Sequence, residues 1–333
     1  MPGTEQKNKI LFKAESASPS DAMPGTEQKT KIALIQGGLG AEREVSLLSA
    51  QAVARTFKAL NISYQVVESD KDLVNKLYHL KPDKAFLAVH GKYAEDGTLQ
   101  GICEYLKIPY TGSGVLGSSL CMDKCVFKNY LSWQNIPTPH YQVLKLENQK
   151  IQKVVPTVSF PLVVKPSREG STLGISICKN KKELISALEK ALSYDTKILL
   201  EAYIEGMELA VSFFNGKTLM PVEIIPQSGF YDYTSKYKAG KTQYILPPRL
   251  KKNIIKTCQN ITQKVVKSLP IKTYCRADFI VRDSLPLMTE INTLPGLTEH
   301  SLLPKSAQYE GIDFNTLILH ILQAASLDYS FHK

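Results

Sequence analysis

The chain has 333 residues, of which 43% are hydrophobic and 22% charged, and it carries a net charge of +10. These proportions are ordinary for a globular protein of two or three domains, and no apolar run approaches the ~20 residues needed to span a bilayer. The basic excess does not by itself point to nucleic acid, because the lysines are scattered and no aromatic-basic motif accompanies them; phosphates of a small nucleotide explain it more simply.

Six cysteines are present, at 103, 121, 125, 178, 258 and 275, and none forms a CxxC pair. Cys121 and Cys125 read as two thiols on one helix face. The opening residues lack the basic-then-apolar pattern of a signal peptide, so the cysteines are expected to be reduced thiols of a cytoplasmic protein.

Residues 1–29 read as a disordered tail in which Met1–Lys7 recurs word for word as Met23–Lys29. A duplicated start, an alternative initiation site and a cloning scar all fit that repeat. From Lys31–Gln36 the pattern alternates: strand, a Gly37–Gly40 turn, then a helix from about Glu44 with Val45, Leu48, Ala52, Val53, Phe57 and Leu60 at helical spacing. Strands at Ile62–Val67 and Lys84–His90 flank a helix near Asp72–Leu80. This βαβαβ rhythm predicts a parallel sheet whose ligands bind beyond the strands' carboxyl ends.

The rhythm changes from about Val115. A helix at Asp123–Gln134 precedes strands at Tyr141–Leu146, Pro161–Pro166, Ser176–Cys178 and Lys197–Glu201, with a helix at Lys181–Leu192. Asn215-Gly216 predicts a type I′ hairpin. A long Tyr/Gly/Lys-rich loop, Gln227–Leu246, has the length of a lid. A helix at about Leu250–Lys267 then leads to two strands, Arg276–Val281 and Leu287–Asn292.

That last pair carries the clearest chemistry. Strand side chains alternate faces, so Arg276 and Asp278 share one side, as do Glu290 and Asn292. Converging Asp, Glu and Asn oxygens suit a hard cation such as magnesium, although a solvated antiparallel pair would look similar. The Thr293–Ser301 turn follows directly, rich in Pro, Gly and hydroxyls, and can offer backbone N–H groups to an anion. Lys165 ends an apolar strand before the Gly/Ser loop 166–174 and can act as a point charge for phosphates, though the lysine precedes the glycines and this is no Walker loop. At the Gly37–Gly40 turn the G-x-G-x-x-G fingerprint is incomplete, and no acidic residue closes the second strand in convincing register, which speaks against a dehydrogenase. Glu42, just before the first helix, either complements the helix dipole or binds a substrate ammonium. His90 reads equally well as a core or a functional histidine.

Several words in order carry a resemblance: Ala41–Ser46, Glu95–Gly101, Pro109–Ser113, Met122–Lys124, Lys165–Ser171, Phe230–Tyr237 and Asn292–Gly296. They resemble the ATP-grasp superfamily, and within it the bacterial D-alanine–D-alanine ligases, over roughly residues 31 to 322. The resemblance implies an ATP-grasp fold, α/β and α+β, preceded by a Rossmann-like parallel-sheet domain. Its divisions would be 30–114, 115–205 and 206–333, with the lid at 227–246. It implies ADP-forming ligation of two D-alanines for peptidoglycan, with ATP as substrate, two Mg²⁺ or Mn²⁺, and a homodimer that binds neither nucleic acid nor membrane.

Carried over position by position, Lys124 and Lys165 would hold the α/β-phosphates and Lys236 the γ-phosphate. Glu201, Ile204 and Glu208 would bind the adenosine, and Asp278, Glu290 and Asn292 the metals. Arg276 and the Gly296 N–H would stabilise the oxyanion. Glu42 would take the first ammonium, latched by Ser171 and Tyr237, with His90 beside that subsite and Ser301 on the second carboxylate. Two positions depart from the pattern: Ala202 stands where a lysine is usual, and Leu294 where a small residue is. The intact Tyr237 favours D-alanine over D-lactate as second substrate; a hydroxy-acid ligase and a nucleotide-binding module without turnover are the alternatives.

Overall fold

A computed structural model describes residues 30–146, 151–226 and 242–329. Three sheets are built from successive parts of the chain. The first contains β1 (Ile32–Gln36), β2 (Tyr64–Glu68) and β3 (Lys84–Leu87), all parallel in the order β2-β1-β3. Ile32–Ile35 are buried on both faces, as expected for the central strand of a covered parallel sheet. Helix α1 (Arg43–Ala59) packs Val45, Ala52, Val53 and Phe57 inward, but Leu48, on the predicted apolar stripe, is 54% exposed. It lines a cavity instead of the core. Helix α2 (Leu73–Leu80) connects β2 to β3.

Glu68 corrects one expectation, since it does close the second strand, in register with Gln36. Its carboxylate pairs with Arg43 and occupies the space a side chain at Gly37 would need. An internal cation thus already neutralises this acid, which leaves the glycine turn as a turn.

Two helices, α3 (Thr98–Tyr105) and α4 (Val115–Met122), lead to α5 (Lys124–Trp133). Cys121 and Cys125 do not share a helix face, because Asp123 has extended backbone and caps α5 by accepting from the Val126 N–H at 3.1 Å. The second sheet holds β4 (Tyr141–Lys145), β5 (Leu162–Pro166), β6 (Ser176–Cys178) and β7 (Lys197–Ala202) in the antiparallel order β4-β7-β5-β6. Helix α6 (Lys181–Leu192) covers it, starting where Asn180 accepts from the Glu183 N–H.

The third sheet runs β11-β10-β8-β12-β13, with β8 Met207–Phe214, β10 Val222–Pro226, β11 Thr242–Ile245, β12 Tyr274–Arg282 and β13 Leu285–Asn292. Strand β9 (Lys217–Thr218) pairs back on β8 through Asn215-Gly216, both at positive φ, as the hairpin signal predicts. Part of the expected long loop is strand: Thr242–Ile245 pair with Glu223–Pro226. Residues 227–241 of that loop, including Lys236 and Tyr237, lie outside the described residues. Helix α7 (Lys252–Ser268) backs the sheet, followed by α8 (Leu302–Tyr309) and α9 (Phe314–Gln323). Helix α9 returns to the first sheet, where Leu317, Ile318 and Ile321 share a core with Ile35, Phe57 and Phe86.

Three buried or half-buried carboxylates are each held by a cation: Asp195 by Arg168, Asp123 by Lys197, and Glu223 by Arg249. Burial alone would raise these carboxyls, but the donors prevail and hold each below its ordinary value of 3.8 (Asp) or 4.5 (Glu). Such groups stabilise the fold above the ordinary carboxylate range, and that contribution is lost as pH falls through the lowered values. The expected result is a thermal midpoint that declines below about pH 4. Asp195→Asn should flatten part of the decline, and an unchanged acid limb in that variant would disprove the contribution.

Candidate active site

The sheets meet around a cavity of about 690 Å³ whose wall includes Glu42, His90, Lys124, Ser171, Arg276, Glu290, Asn292, Gly296 and Ser301. Lys165, Glu201, Ile204, Glu208 and Asp278 lie outside that lining.

Glu42 immediately precedes α1 but makes no capping hydrogen bond with its side chain, and the residue is only 7% exposed. The Ser171 hydroxyl donates to its Oε1, linking the start of α1 to the loop after β5. Gly91 and Gly170 approach from the loops after β3 and β5 so closely that a Cβ on either would overlap the carboxylate. Two glycines therefore shape a socket for one acid.

His90 is buried beyond β3, with Nδ1 2.9 Å from the Leu294 carbonyl and Nε2 2.9 Å from Ser49 Oγ. The carbonyl requires a proton on Nδ1, so Nε2 accepts from Ser49, whose oxygen in turn accepts the Leu297 N–H at 3.3 Å. Burial pushes the imidazole below its ordinary range despite Glu42 nearby, consistent with this neutral form. Glu95, also buried, accepts from the Gly91 N–H at 2.9 Å and the Leu294 N–H at 3.1 Å. Burial, reinforced by Glu42, pushes its carboxyl up to about 8.

Strands β12 and β13 place Asp278 opposite Glu290 and Arg276 opposite Asn292. The register shifts after Asp278, and the Thr289 hydroxyl donates to the Asp278 carbonyl at 3.0 Å. Arg276 grips Asp278 through two parallel bonds of 2.7 Å, a fork geometry that fixes the guanidinium. Among the described residues no three His, Cys, Asp or Glu side chains gather as a metal set. The oxygen set here is two carboxylates and an amide, and each Asp278 oxygen keeps acceptor capacity beyond its bond to Arg276. Those donors fit a hard divalent cation.

Lys124 begins α5, with its Nζ 2.5 Å from the Glu169 carbonyl and 3.7 Å from Glu290. Glu201 sits between Lys165 and Lys128, each 3.2 Å away. Burial opposes the charge on Glu201, but the two lysines hold its carboxyl low. Burial brings Lys128 down to about 8 against the pull of Glu201. For Lys165 the balance reverses: Glu201, Glu290 and Glu208 outweigh burial and raise it. Glu208 lies on β8 opposite Ile280, and Ile204 lies in the turn between β7 and β8. Ser301 caps neither end of a helix by side chain; its hydroxyl is 2.8 Å from Thr298 Oγ1 and close to Gly296.

Sequence reasoning missed Glu95, which lines the cavity, and two partners of the residues it named, Ser49 beside His90 and Lys128 beside Glu201. Lys128 carries a faint signal, one helical turn after Lys124, and Glu95 opens one of the motif words. Nothing local marks Ser49.

Of the two departures, Leu294 is 1% exposed and packs where a Cβ on Gly112 would come within 2.6 Å of its Cδ2. A glycine opposite makes room for the larger side chain. Ala202 ends β7 and places no cation there.

Comparison with known proteins identifies relatives of this chain. Family models described as the D-ala D-ala ligase N-terminus and C-terminus match residues 68–113 and 131–323. A D-alanine–D-alanine ligase from Syntrophotalea carbinolica is 42% identical over 296 residues, covering 89% of this chain and 96% of the relative. One from Citrifermentans bemidjiense is 42% identical over 297 residues, with the same coverage of each chain. The solved structure of the Bacillus anthracis ligase complexed with ATP superposes with a TM-score of 0.77 at 35% identity, covering 89% of this chain and 96% of that one. The ATP-grasp architecture with its parallel N-terminal sheet is thus the fold expected from the sequence. The chain belongs to the D-alanine–D-alanine ligase family.

Proposed function

We propose that this protein joins two D-alanine molecules at the expense of ATP, through a D-alanyl phosphate, to supply the dipeptide of a peptidoglycan precursor. The observation that carries this reading is the convergence on one cavity of the Glu42–Ser171 pair, Arg276, held from behind by its fork to Asp278, and the Glu290/Asn292 strand face.

A carboxylate oxygen of the first D-alanine attacks the γ-phosphorus, and ADP leaves. The amine of the second, having lost a proton, attacks the carbonyl carbon; the tetrahedral intermediate collapses and phosphate departs. Glu42 pairs with the first ammonium. Lys124 and Lys165 hold the phosphates, with Lys236 as a further phosphate residue. Glu201, Ile204 and Glu208 bind adenosine. Asp278, Glu290 and Asn292 would hold two Mg²⁺ or Mn²⁺, which supply neutralising charge at the β- and γ-phosphates. Arg276 and the Gly296 N–H receive the oxyanion, and Ser301 the second carboxylate. The family resemblance assigns Tyr237, which lies outside the described residues, to the same latch as Glu42 and Ser171. His90 has both ring nitrogens committed and positions the loop that carries Gly296 instead of accepting a proton.

The segments 30–114, 115–205 and 206–333 act as the three domains of this machine. The six cysteines, all buried and unpaired, support a reducing cytoplasmic setting, and among the described residues no helix is long and apolar enough to cross a membrane.

The direct test is ADP release with ATP and D-alanine, set against L-alanine and D-lactate. Release dependent on D-alanine, with D-alanyl-D-alanine as product, is expected; its absence would overturn the reading. A second test concerns the socket. Gly170 has ordinary backbone, so Gly170→Ala adds only a methyl against Glu42. A misplaced carboxylate should raise the KM for the first D-alanine by on the order of 10- to 10²-fold, with the KM for ATP nearly unchanged. A wild-type D-alanine profile in that variant would remove Glu42 from the ammonium site.

A further inference from the structure

Ser301 and Lys305 both line the cavity. They are four residues apart at the start of α8, where the Lys305 N–H donates to the Ser301 carbonyl at 3.1 Å. Helical spacing therefore puts their side chains on one face. The Lys305 ammonium lies 5.5 Å from the centroid of the Tyr244 ring, another side chain of the cavity wall, supplied by β11.

The other arginines and lysines of this wall are committed. Arg55 faces Glu299 at 3.5 Å, Lys124 faces Glu290, and Arg276 is forked onto Asp278. Among the described residues no carboxylate pairs with Lys305. An aromatic face holds it in place without consuming its charge. A carboxylate arriving at Ser301 needs such a group, because its two oxygens accept about four hydrogen bonds and one hydroxyl donates one.

We propose that Lys305 is a second recognition residue for the carboxylate of the acceptor D-alanine, acting beside Ser301 and selecting acceptors that end in a free carboxylate. The proposal rests on the reading of Ser301 given above. Tyr244 holds the ammonium at the cavity wall, so the third sheet and α8 jointly define the acceptor end of the site.

The test is a partition experiment. D-Alaninamide has no carboxylate to phosphorylate, so it can act only as acceptor. With ATP and equal concentrations of D-alanine and D-alaninamide, mass spectrometry gives the ratio of D-alanyl-D-alanine to D-alanyl-D-alaninamide. Lys305→Met keeps the stem against Tyr244 and removes the charge, and should lower that ratio by on the order of tenfold. Lys305→Arg should preserve it. The ratio is internal to each preparation, so partial loss of folded protein does not move it. A wild-type ratio in Lys305→Met, with a lowered ratio in Ser301→Ala, would overturn the role of Lys305 alone. If neither variant changes the ratio, the assignment of Ser301 fails and the proposal fails with it.

Discussion

Replacing Arg276 by alanine is expected to lower kcat by on the order of 10²–10³, the cost of losing one oxyanion donor. The guanidinium is already fixed before any substrate arrives, by two bonds to Asp278 and by its place on β12 opposite Asn292. It spends no reorganisation when charge develops on the carbonyl oxygen, so its contribution belongs to the transition state. The KM for ATP should change far less than kcat. Arg276→Lys keeps a charge but not the fork, and should recover only part of the loss. A large rise in the KM for ATP with kcat preserved would reassign Arg276 to phosphate binding.

Glu290→Gln should abolish most turnover while leaving the fold intact. The substitution preserves shape on β13 but removes one of the two carboxylates in the Asp278, Glu290 and Asn292 set. Activity of the unaltered protein should vanish with chelator and return with Mg²⁺ or Mn²⁺. In Glu290→Gln the metal concentration for half-maximal rate should rise, a shift that a simple loss of folded protein would not produce. Full activity at ordinary magnesium in this variant would end the metal assignment. Lys124, 3.7 Å from Glu290, offers an internal contrast: its loss should weaken nucleotide binding without altering the metal requirement.

What could be read in the sequence was what local periodicity and turn chemistry encode. The period of two in 276–280 put Arg276 and Asp278 on one face. Asn215-Gly216 marked a hairpin because few other pairs accept two positive φ values. The misses share a different cause. Glu68 closes β2, yet its significance depends on Arg43, which neutralises it across the turn. Asp123 ends one helix pattern and starts another, and only the cap reveals the break between Cys121 and Cys125. Strand β11 was hidden in a loop-like composition because its pairing with β10 supplies the order. Glu95 and Lys128 are charged residues in buried surroundings, an arrangement decided by partners up to 199 residues away.

The loop bearing Gly296 follows β13, yet besides the Leu294 N–H bond to Asn292 it is tied elsewhere: Leu294 to His90 and Glu95, and Leu297 to Ser49. All three partners belong to the first part of the chain, beside the parallel sheet. The N–H proposed to receive the oxyanion is thus surveyed from a different body than the one that carries it, like a gauge mounted across a joint. Displacements of about 1 Å between those bodies would misalign that N–H and slow turnover while every reacting side chain stayed in place. Rate, in this protein, doubles as a measure of how closely its two ends are seated together.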